Sequence, residues 1–213
     1  MKATRDRRTS RWDEHRATRR AELVDAALLA IREHGAGVGM DDVAARAGTS
    51  KTVVYRHFTD RAGLYVAVCE RVAGVLAESV RSAMDRATHP REKAAAGIGA
   101  YLRLIERDPK VYRFVVHRPL VDRALTEDPV GDLATLVGDQ AAAVIAAQLR
   151  RTGKDTTAAT TWGHAIVGLV RGAGDNWLAR PAGLPRDELA SHLTDLAWAG
   201  LSGVVAPPVE ENS

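Results

Sequence analysis

The residues of this sequence that are best suited to a chemical task lie together between Ser50 and Arg61. The segment reads SKTVVYRHFTDR, so hydroxyl, phenol, imidazole and cationic groups surround two valines. Side chains of these types donate hydrogen bonds to phosphate oxygens and to the edges of DNA bases. We predict DNA contacts from Ser50, Lys51, Thr52, Tyr55, Arg56, His57 and Arg61.

Two short helices joined by a tight turn are predicted to hold these side chains. The acids at 41–42 lie in the first turn of one helix, and Gly48 is suited to the left-handed backbone that ends it. Thr49 or Ser50 can then cap a second helix, which runs to His57. This pattern is a helix-turn-helix, in which the second helix enters the major groove of DNA.

Lys51 and Thr52 begin the second helix, and we therefore expect them to read base edges. Val53 and Val54 are expected to face inward, and Phe58 to belong to the core of the head. Phosphate contacts position such a module without reading sequence. They are expected from Ser50, Tyr55, His57 and Arg61.

The order of these parts resembles the DNA-binding signature of the TetR family of bacterial repressors. The resemblance is carried by VAARAGTSK, by YRHF, and by the basic residue and leucine that open a long helix. It covers roughly residues 17–70, and the rest of the chain is similar in helical layout and length. The resemblance implies a three-helix DNA-binding head, a larger ligand-binding domain, and a homodimer that represses transcription.

Three residues depart from the usual signature of that family. Gly39 replaces a Thr or Ser cap, at a cost of roughly a few tenths of a kcal/mol, and Arg61 replaces a Lys while keeping the charge. Gly63 lies in the first turn of the fourth helix, where glycine costs up to about 1 kcal/mol relative to alanine. We therefore predict a looser corner between the third and fourth helices.

The positive charge of the chain is concentrated at the end that carries this motif. The 213 residues include 30 Lys or Arg and 27 Asp or Glu, a net charge of +3. Residues 1–69 hold 13 basic and 9 acidic groups, whereas residues 70–213 hold 17 and 18. Residues 1–20 hold eight basic and three acidic groups, which suits an arm that follows DNA phosphates and equally a solubilising tail.

The sequence contains no recognisable catalytic or metal-binding motif. GxSxG, HExxH and phosphate-cradling glycine loops are absent, and the histidines show no ligand spacing. We predict neither an enzyme nor a cofactor or metal. Cys69 is the single cysteine, and no uncharged apolar run is long enough to span a membrane. These features predict a cytoplasmic protein without membrane contact.

The predicted fold class is all-α, with about nine helices. Alanine is abundant, aromatic residues make up only 5% of the chain, and the alternating patterns of strands are missing. The third helix is expected to end at His57, the fourth near Thr88, and the eighth to begin near Asp155. The predicted domains are a flexible basic arm (1–16), a helix-turn-helix head (17–63), a ligand-binding and dimerisation domain (64–206) and a tail (207–213).

The larger domain is predicted to enclose a small, mainly apolar ligand. Its helices supply more apolar faces than a single rod needs, as ligand-binding domains do. The segments YLRLIERDPKVYRFVV, DNWL and LAWAGLSG are similar to TetR-family members that sense acyl chains or acyl-CoA. The candidate lining residues are Tyr101, Leu104, Ile105, Phe114, Trp162, Ile166 and Trp177. A ligand there is expected to press on the fourth helix and change the spacing of two DNA-binding heads.

The eighth and ninth helices are expected to form the interface of a homodimer. Both carry several glycines and alanines, and the cost of glycine in a helix is offset where two helices approach closely. Two such pairs form a four-helix bundle, and the dimer presents two reading heads about 34–36 Å apart to a near-palindromic site. The candidates are Leu169, Ala173, Leu193, Leu196, Ala197, Gly200, Leu201 and Val204.

These patterns predict a DNA-binding regulator of transcription, and specifically a repressor that a small apolar effector releases from its operator. A regulator without a ligand and an activator of transcription are the alternatives within DNA binding. A helical adaptor, whose head serves protein contacts, is the alternative from another class. Salt dependence separates them, because DNA binding weakens steeply as the salt concentration rises.

Overall fold

The computed structural model describes residues 3–117, 128–180 and 183–205, and every regular element in these ranges is helical, as predicted. The side chains discussed below belong to residues 14–116, 128–180 and 183–201. The helices are α1 (Ala3–His34), α2 (Met40–Arg46), α3 (Lys51–Phe58), α4 (Arg61–Asp85), α5 (Pro90–Arg107), α6 (Pro109–His117), α7 (Pro129–Arg151), α8 (Ala159–Leu178) and α9 (Arg186–Val205). A single 3-10 turn, Gly35–Gly37, lies between α1 and α2.

The extent of α1 differs most from its prediction. The helix begins at Ala3, so the segment predicted as a flexible arm over 1–16 is helical from that residue. The chain before Gly35 contains neither glycine nor proline and is rich in Ala, Arg and Glu, which favour helix. Gly35 then adopts a left-handed backbone, with a φ of 69°, and the helix ends.

The bounds of three other helices also shift from their predictions. α8 begins at Ala159, because the Asp155 carboxylate accepts hydrogen bonds from the backbone N–H and the hydroxyl of Thr157, and such a local turn competes with helix. α3 continues through Phe58, and α4 ends at Asp85. The tail predicted over 207–213 lies outside the described residues.

The chain divides into two compact units whose boundaries differ from the predicted domains. Unit 1 contains Met1–Val72 together with Asp108–Pro129, and unit 2 contains Ala73–Arg107 together with Val130–Ser213. α6 is therefore part of the unit that contains the helix-turn-helix, although the sequence pattern assigned it to the ligand-binding domain.

One face of each helix builds the core of unit 1. The buried side chains include Leu23, Ala27 and Ile31 of α1, Val43 of α2, Val54 and Phe58 of α3, Tyr65 and Val68 of α4, and Phe114 of α6. The Tyr65 hydroxyl donates a hydrogen bond of 2.5 Å to the backbone carbonyl of Val115, and the Tyr65 and Phe114 rings are 5.7 Å apart. α6 is thus held to α4 by a polar and an apolar contact.

Two polar contacts, which we call the α1–α6 latch, join α6 to the end of α1. The Arg32 guanidinium donates hydrogen bonds of 2.8 and 3.1 Å to the two oxygens of the Asp108 carboxylate, and this bonding raises the pKa of Arg32 above its ordinary value. The Lys110 ammonium donates to the backbone carbonyl of Glu33 at 2.9 Å. That carbonyl lies in the last turn of α1, where carbonyls lack partners within the helix.

Unit 2 is held together by close packing of helix pairs. α5 and α9 pack against each other, and the rings of His89 and Trp198 lie 5.6 Å apart. α7 and α8 approach each other closely where Gly163 of α8 faces Gly138 of α7. A Cβ on Gly163 would lie only 2.5 Å from the backbone carbonyl oxygen of Gly138. The lack of a side chain therefore permits this approach.

Candidate nucleic-acid interface

The turn between α2 and α3 has the backbone that its sequence predicts. Gly48 has a φ of 60°, the left-handed conformation that ends α2, and Ser50 has the extended backbone of a helix cap. The backbone carbonyl of Ser50 accepts hydrogen bonds from the N–H groups of Val53 and Val54. The Ser50 hydroxyl makes no capping hydrogen bond, contrary to expectation, so the first turn of α3 depends on its backbone contacts.

The start of α2 is well satisfied although Gly39 has no side chain. The Asp42 carboxylate accepts a hydrogen bond of 2.7 Å from the backbone N–H of Gly39, which has an extended backbone. This is the reciprocal half of a capping box, in which the third residue of a helix bonds back to the cap. A complete capping box has two side-chain hydrogen bonds. The start of α2 has the one to the Asp42 carboxylate and lacks the one that a side chain at position 39 would make.

The outer face of α3 carries the residues predicted to contact DNA. Val54 and Phe58 are buried beneath it, and Val53 is half-buried. Six of the seven candidates are exposed, namely Ser50, Lys51, Thr52, Tyr55, Arg56 and Arg61, and His57 is half-buried. A helix with an apolar inner face and a cationic, hydroxyl-bearing outer face is suited to the major groove.

The corner between α3 and α4 is tight, which corrects the prediction of a looser one. Thr59 has a φ of 61°, the one positive value among the described residues other than glycine. The Gly63 N–H donates a hydrogen bond of 2.7 Å to the Asp60 carboxylate, and a Cβ on Gly63 would collide with the backbone carbonyl oxygen of Phe58. Gly63 is therefore required by close packing.

Arginines of α1 extend the cationic surface beyond the predicted site residues. The pKa of His57 lies below its ordinary value, because burial disfavours the imidazolium and the nearby Arg16, Arg19 and Arg20 oppose it. These groups therefore disfavour the charged form of His57. The Arg20 guanidinium lies over the Phe58 ring, 5.2 Å from its centroid. The excess of basic residues over positions 1–20 indicated a cationic surface, but it did not single out Arg16, Arg19 and Arg20.

The ion pair of Lys51 and Asp41 is a second feature that the sequence did not reveal. The Lys51 ammonium donates a hydrogen bond of 2.7 Å to the Asp41 carboxylate, and this bond raises the pKa of Lys51. A predicted base-reading cation is therefore paired with an acid from the first turn of α2.

The seven candidate ligand-binding residues are divided between the two units. Phe114 is buried in unit 1 against Tyr65. Tyr101 and Ile105 come together in unit 2 at Gly174 of α8, where a Cβ would lie 3.1 and 3.0 Å from their side chains. Phe114 is therefore a core residue of the helix-turn-helix unit.

The other candidates are in unit 2 and only partly covered. Trp162 and Ile166 pack against a cluster of α7 and α8, and the Trp177 indole N–H donates to the backbone carbonyl of Leu184 at 2.7 Å. The cluster consists of Ile145, Leu149 and Ala159. Ile105 is buried, whereas Tyr101, Leu104, Trp162, Ile166 and Trp177 are half-buried. Unit 2 thus leaves part of five large apolar side chains accessible.

The eight candidate dimer residues differ in exposure. Leu193 and Ala197 are buried within the chain, Leu196 is 59% exposed, and a Cβ on Gly200 would meet open space. Leu169, Ala173 and Leu201 are half-buried, and the side chain of Val204 lies outside the described residues. A Cβ on Gly168 or Gly172 of α8 would also meet open space, so among the described residues these glycines make no close approach to another element.

An exposed cationic recognition helix on a three-helix head defines a helix-turn-helix regulator of transcription. Residues 23–68 match the model for bacterial regulatory proteins of the tetR family, and residues 79–208 match the model for the tetracyclin repressor-like C-terminal domain. The chain belongs to the TetR family, whose members are regulators of transcription and not enzymes.

Similar proteins span most of the chain. The uncharacterized HTH-type transcriptional regulator Rv0472c of Mycobacterium tuberculosis is 33% identical over 201 residues, which is 94% of this chain and 84% of that protein. The HTH-type transcriptional activator FasR of Mycolicibacterium smegmatis is 30% identical, covering 89% of this chain and 85% of FasR. The solved structure of FadR from Bacillus subtilis in complex with stearoyl-CoA has a TM-score of 0.69 and 15% identity, covering 84% of this chain and 98% of FadR. It shares the fold.

One helix of unit 2 is apolar enough to deserve comparison with a membrane span. By length and composition alone α7 could cross a bilayer, and it is the one helix among the described residues that meets this test. A single such helix is weak support for a span, and α7 lies within the region that matches the C-terminal domain model. TetR-family regulators are in general soluble and cytoplasmic.

Proposed function

We propose that this protein is a cytoplasmic repressor that binds a near-palindromic operator as a homodimer and leaves it when an acyl chain or acyl-CoA binds. The observation that carries the DNA-binding part is the outer face of α3. There Lys51, Thr52, Tyr55 and Arg56 are exposed over the buried Val54. Such a face offers donors to both bases and phosphates.

Binding to a DNA duplex selected by the protein tests the proposed role of α3 in DNA binding. The duplex is isolated from a random library with the wild-type protein, and a scrambled duplex of equal length serves as the reference. Lys51→Ala is expected to lose about 1–3 kcal/mol of binding free energy on the selected duplex and little on the scrambled one. Fluorescence anisotropy at several salt concentrations measures the affinities for both duplexes. Equal losses on the two duplexes would mean that Lys51 does not read bases. If the affinity of the wild-type protein for DNA did not depend on salt concentration, the alternative of a helical protein–protein adaptor would be favoured.

Two recognition helices are needed for adequate specificity, and family members are typically dimers. We infer that the exposed parts of α8 and α9 form the interface. Leu196 and Gly200 of α9 and Gly168 and Gly172 of α8 support this inference, because an accessible leucine and side-chain-free helix surface suit close packing with a second copy.

Gly200→Arg tests the dimer without disturbing the protomer. Among the described residues an arginine there meets open space, so the fold is expected to persist while the charged side chain blocks the partner helix. Sedimentation velocity is expected to change from dimer to monomer. Gly74→Arg is the matched control, since Gly74 of α4 also faces open space. A dimeric Gly200→Arg protein would locate the interface elsewhere.

The effector is inferred to be a long apolar chain. Five large apolar side chains of unit 2 are half-buried, and a ligand that covers them gains from the removal of apolar surface from water. The Bacillus subtilis FadR, which shares the fold of this chain, was solved in complex with stearoyl-CoA. These two observations together support an acyl ligand.

The signal is proposed to travel along the chain from α5 to α6. Tyr101 and Ile105 are candidate ligand contacts on α5, and Asp108 follows them at the start of the next helix. Asp108 belongs to the α1–α6 latch with Arg32, so a shift in the end of α5 would act on α1. Small shifts in packed helices are a common route for such switching. The fourth helix, which is shared by both units, offers a second route.

Activation of transcription is the second candidate. FasR, a relative at 30% identity, is named a transcriptional activator. Transcription in vitro from a promoter that contains the selected site decides between the two. A repressor lowers transcript yield when the protein is added, and an activator raises it.

A further inference from the structure

The face of α1 that packs into the core of unit 1 changes from apolar to cationic toward the start of the helix. Leu23 and Ala27 are buried on this face. Residues three, four or seven positions apart share one face of a helix. The earlier positions of the same face are therefore those of three arginines, Arg16, Arg19 and Arg20. α1 thus presents a row of guanidinium groups just beyond the core.

These arginines lie beside the C-terminal end of α3. The Arg20 guanidinium is 5.2 Å from the ring centroid of Phe58, the last residue of α3. The preceding residue is His57. Burial is the largest cause that lowers the pKa of His57, and the charged groups that lower it further are all arginines, namely Arg16, Arg19, Arg56 and Arg20. The end of α3 therefore lies in a strongly positive environment, which attracts anions.

The three arginines of α1 differ in how far an acid already balances their charge. Arg19 donates a hydrogen bond of 2.7 Å to the Glu22 carboxylate. The Arg20 guanidinium lies 3.9 Å from the carboxylate of Glu70. Arg16 is exposed and forms no ion pair with another side chain in the described part of the protein. An anion that binds Arg16 therefore displaces no partner there and reduces the repulsion among the cations.

The C-terminal end of α3 is expected to lie beside a strand of the DNA backbone. The N-terminal end of a recognition helix lies at the base edges, and Lys51 is the first residue of α3. His57 is about 9 Å further along the helix, at a rise of about 1.5 Å per residue. The major groove is about 12 Å wide, so a residue that far from the base-reading end reaches the phosphates that border the groove.

We propose that Arg16 of α1 and His57 of α3 together bind one phosphate of the DNA strand beside the groove that α3 enters. This proposal rests on the proposed DNA-binding function of α3, and it adds α1 to the DNA-binding surface. The guanidinium of Arg16 donates two parallel hydrogen bonds to the phosphate oxygens. The imidazole of His57 donates another and takes up a proton, because the anionic phosphate offsets the surrounding arginines.

Removing the charge of Arg16 is expected to weaken DNA binding without changing specificity. Each lost cation–phosphate contact makes the dependence of log K on log salt shallower by about 0.9. A dimer bound through both heads loses two contacts, so Arg16→Gln is expected to lower the affinity by about 30-fold at roughly 0.15 M salt. The loss is expected on the selected and the scrambled duplex alike, since a phosphate carries no sequence information. Arg150→Gln is the matched control, because Arg150 is an exposed arginine of α7 in unit 2. It is expected to leave the salt dependence unchanged.

The pH dependence of DNA binding is the readout specific to His57. The complex holds more protons than the free protein, so the affinity is expected to rise as the pH falls through the pKa of His57 in the complex. The rise ends below the pKa of His57 in the free protein, which is itself lowered. Each head contributes at most about tenfold in affinity per pH unit. His57→Gln is expected to lose this dependence. His34→Gln is expected to keep it, because His34 is an exposed histidine in the last turn of α1.

Fluorescence anisotropy titrations over salt concentration and pH measure these effects, and circular dichroism melting checks that the variants fold. Wild-type salt dependence in Arg16→Gln would overturn the proposal. A loss confined to the selected duplex would also overturn it, since Arg16 would then read bases. Wild-type pH dependence in His57→Gln would show that His57 does not share the phosphate. These results differ from failure of the proposed function, in which the wild-type protein itself binds neither duplex.

Discussion

Replacing Gly63 with alanine is expected to destabilise unit 1 and to weaken DNA binding at the same time. The new methyl group would collide with the backbone carbonyl oxygen of Phe58, and neither group is at the end of a flexible side chain. Overpacking of this kind costs about 1–3 kcal/mol. Calorimetry is expected to show a melting temperature lowered by about 2–4 °C for each kcal/mol.

The loss of DNA binding has the same cause. Phe58 ends α3, and the corner through Thr59 and Asp60 sets the angle of this helix against α4 within unit 1. Gly74→Ala in α4 is the control, since its methyl group meets open space and stabilises a helix interior by roughly 0.5–1 kcal/mol relative to glycine. If Gly63→Ala melts and binds DNA like the wild-type protein, this corner is not tightly packed in solution.

Long-chain acyl compounds are expected to release the protein from its selected duplex. A ligand that favours the form unable to bind DNA couples the two sites by about 1–3 kcal/mol, which corresponds to a loss of DNA affinity of about 5- to 150-fold. Stearoyl-CoA, stearate and CoA alone are the three probes. Release by the first two identifies the acyl chain as the recognised part, and release by CoA alone would contradict an apolar effector.

Reciprocity provides a strict check on this coupling. The duplex must weaken ligand binding by the same factor by which the ligand weakens DNA binding. Calorimetric titration of the ligand with and without the duplex measures that factor. Unequal factors would mean that the two titrations do not report the same equilibrium, for example because the ligand itself binds to the duplex.

A pair of tryptophan variants separates ligand contacts from general packing. Trp162 of α8 is a candidate ligand contact, whereas Trp198 of α9 lies against His89, and both are half-buried in unit 2. Each truncation to alanine removes packing, but only Trp162→Ala is expected to blunt the response to the acyl ligand. Ligand-free DNA binding should survive in both. If acyl-CoAs, fatty acids and aromatic drugs change neither melting temperature nor DNA affinity, the half-buried aromatics are ordinary packing residues.

Features that depend on neighbours in the chain were predictable from the sequence. Helix propensity and the placement of glycine and proline predicted an all-α chain and most helix bounds. The left-handed turn at Gly48 was predicted because few residues other than glycine adopt that backbone readily. The exposed face of α3 followed from helical periodicity, since Val54 faces inward and leaves Lys51 and Arg56 outside. These signals act within a few residues.

Features that depend on distant residues were decided only by the tertiary structure. Arg32 and Asp108 are 76 residues apart, and neither periodicity nor composition joins them, so the packing of α6 against the end of α1 could not be predicted. The role of Gly63 was misjudged because propensity assigns glycine a cost, whereas the nearby Phe58 carbonyl makes it necessary. The Lys51–Asp41 pair likewise required α2 and α3 to be brought together. Local backbone preferences are encoded residue by residue, but contacts between helices arise only when the whole core is packed.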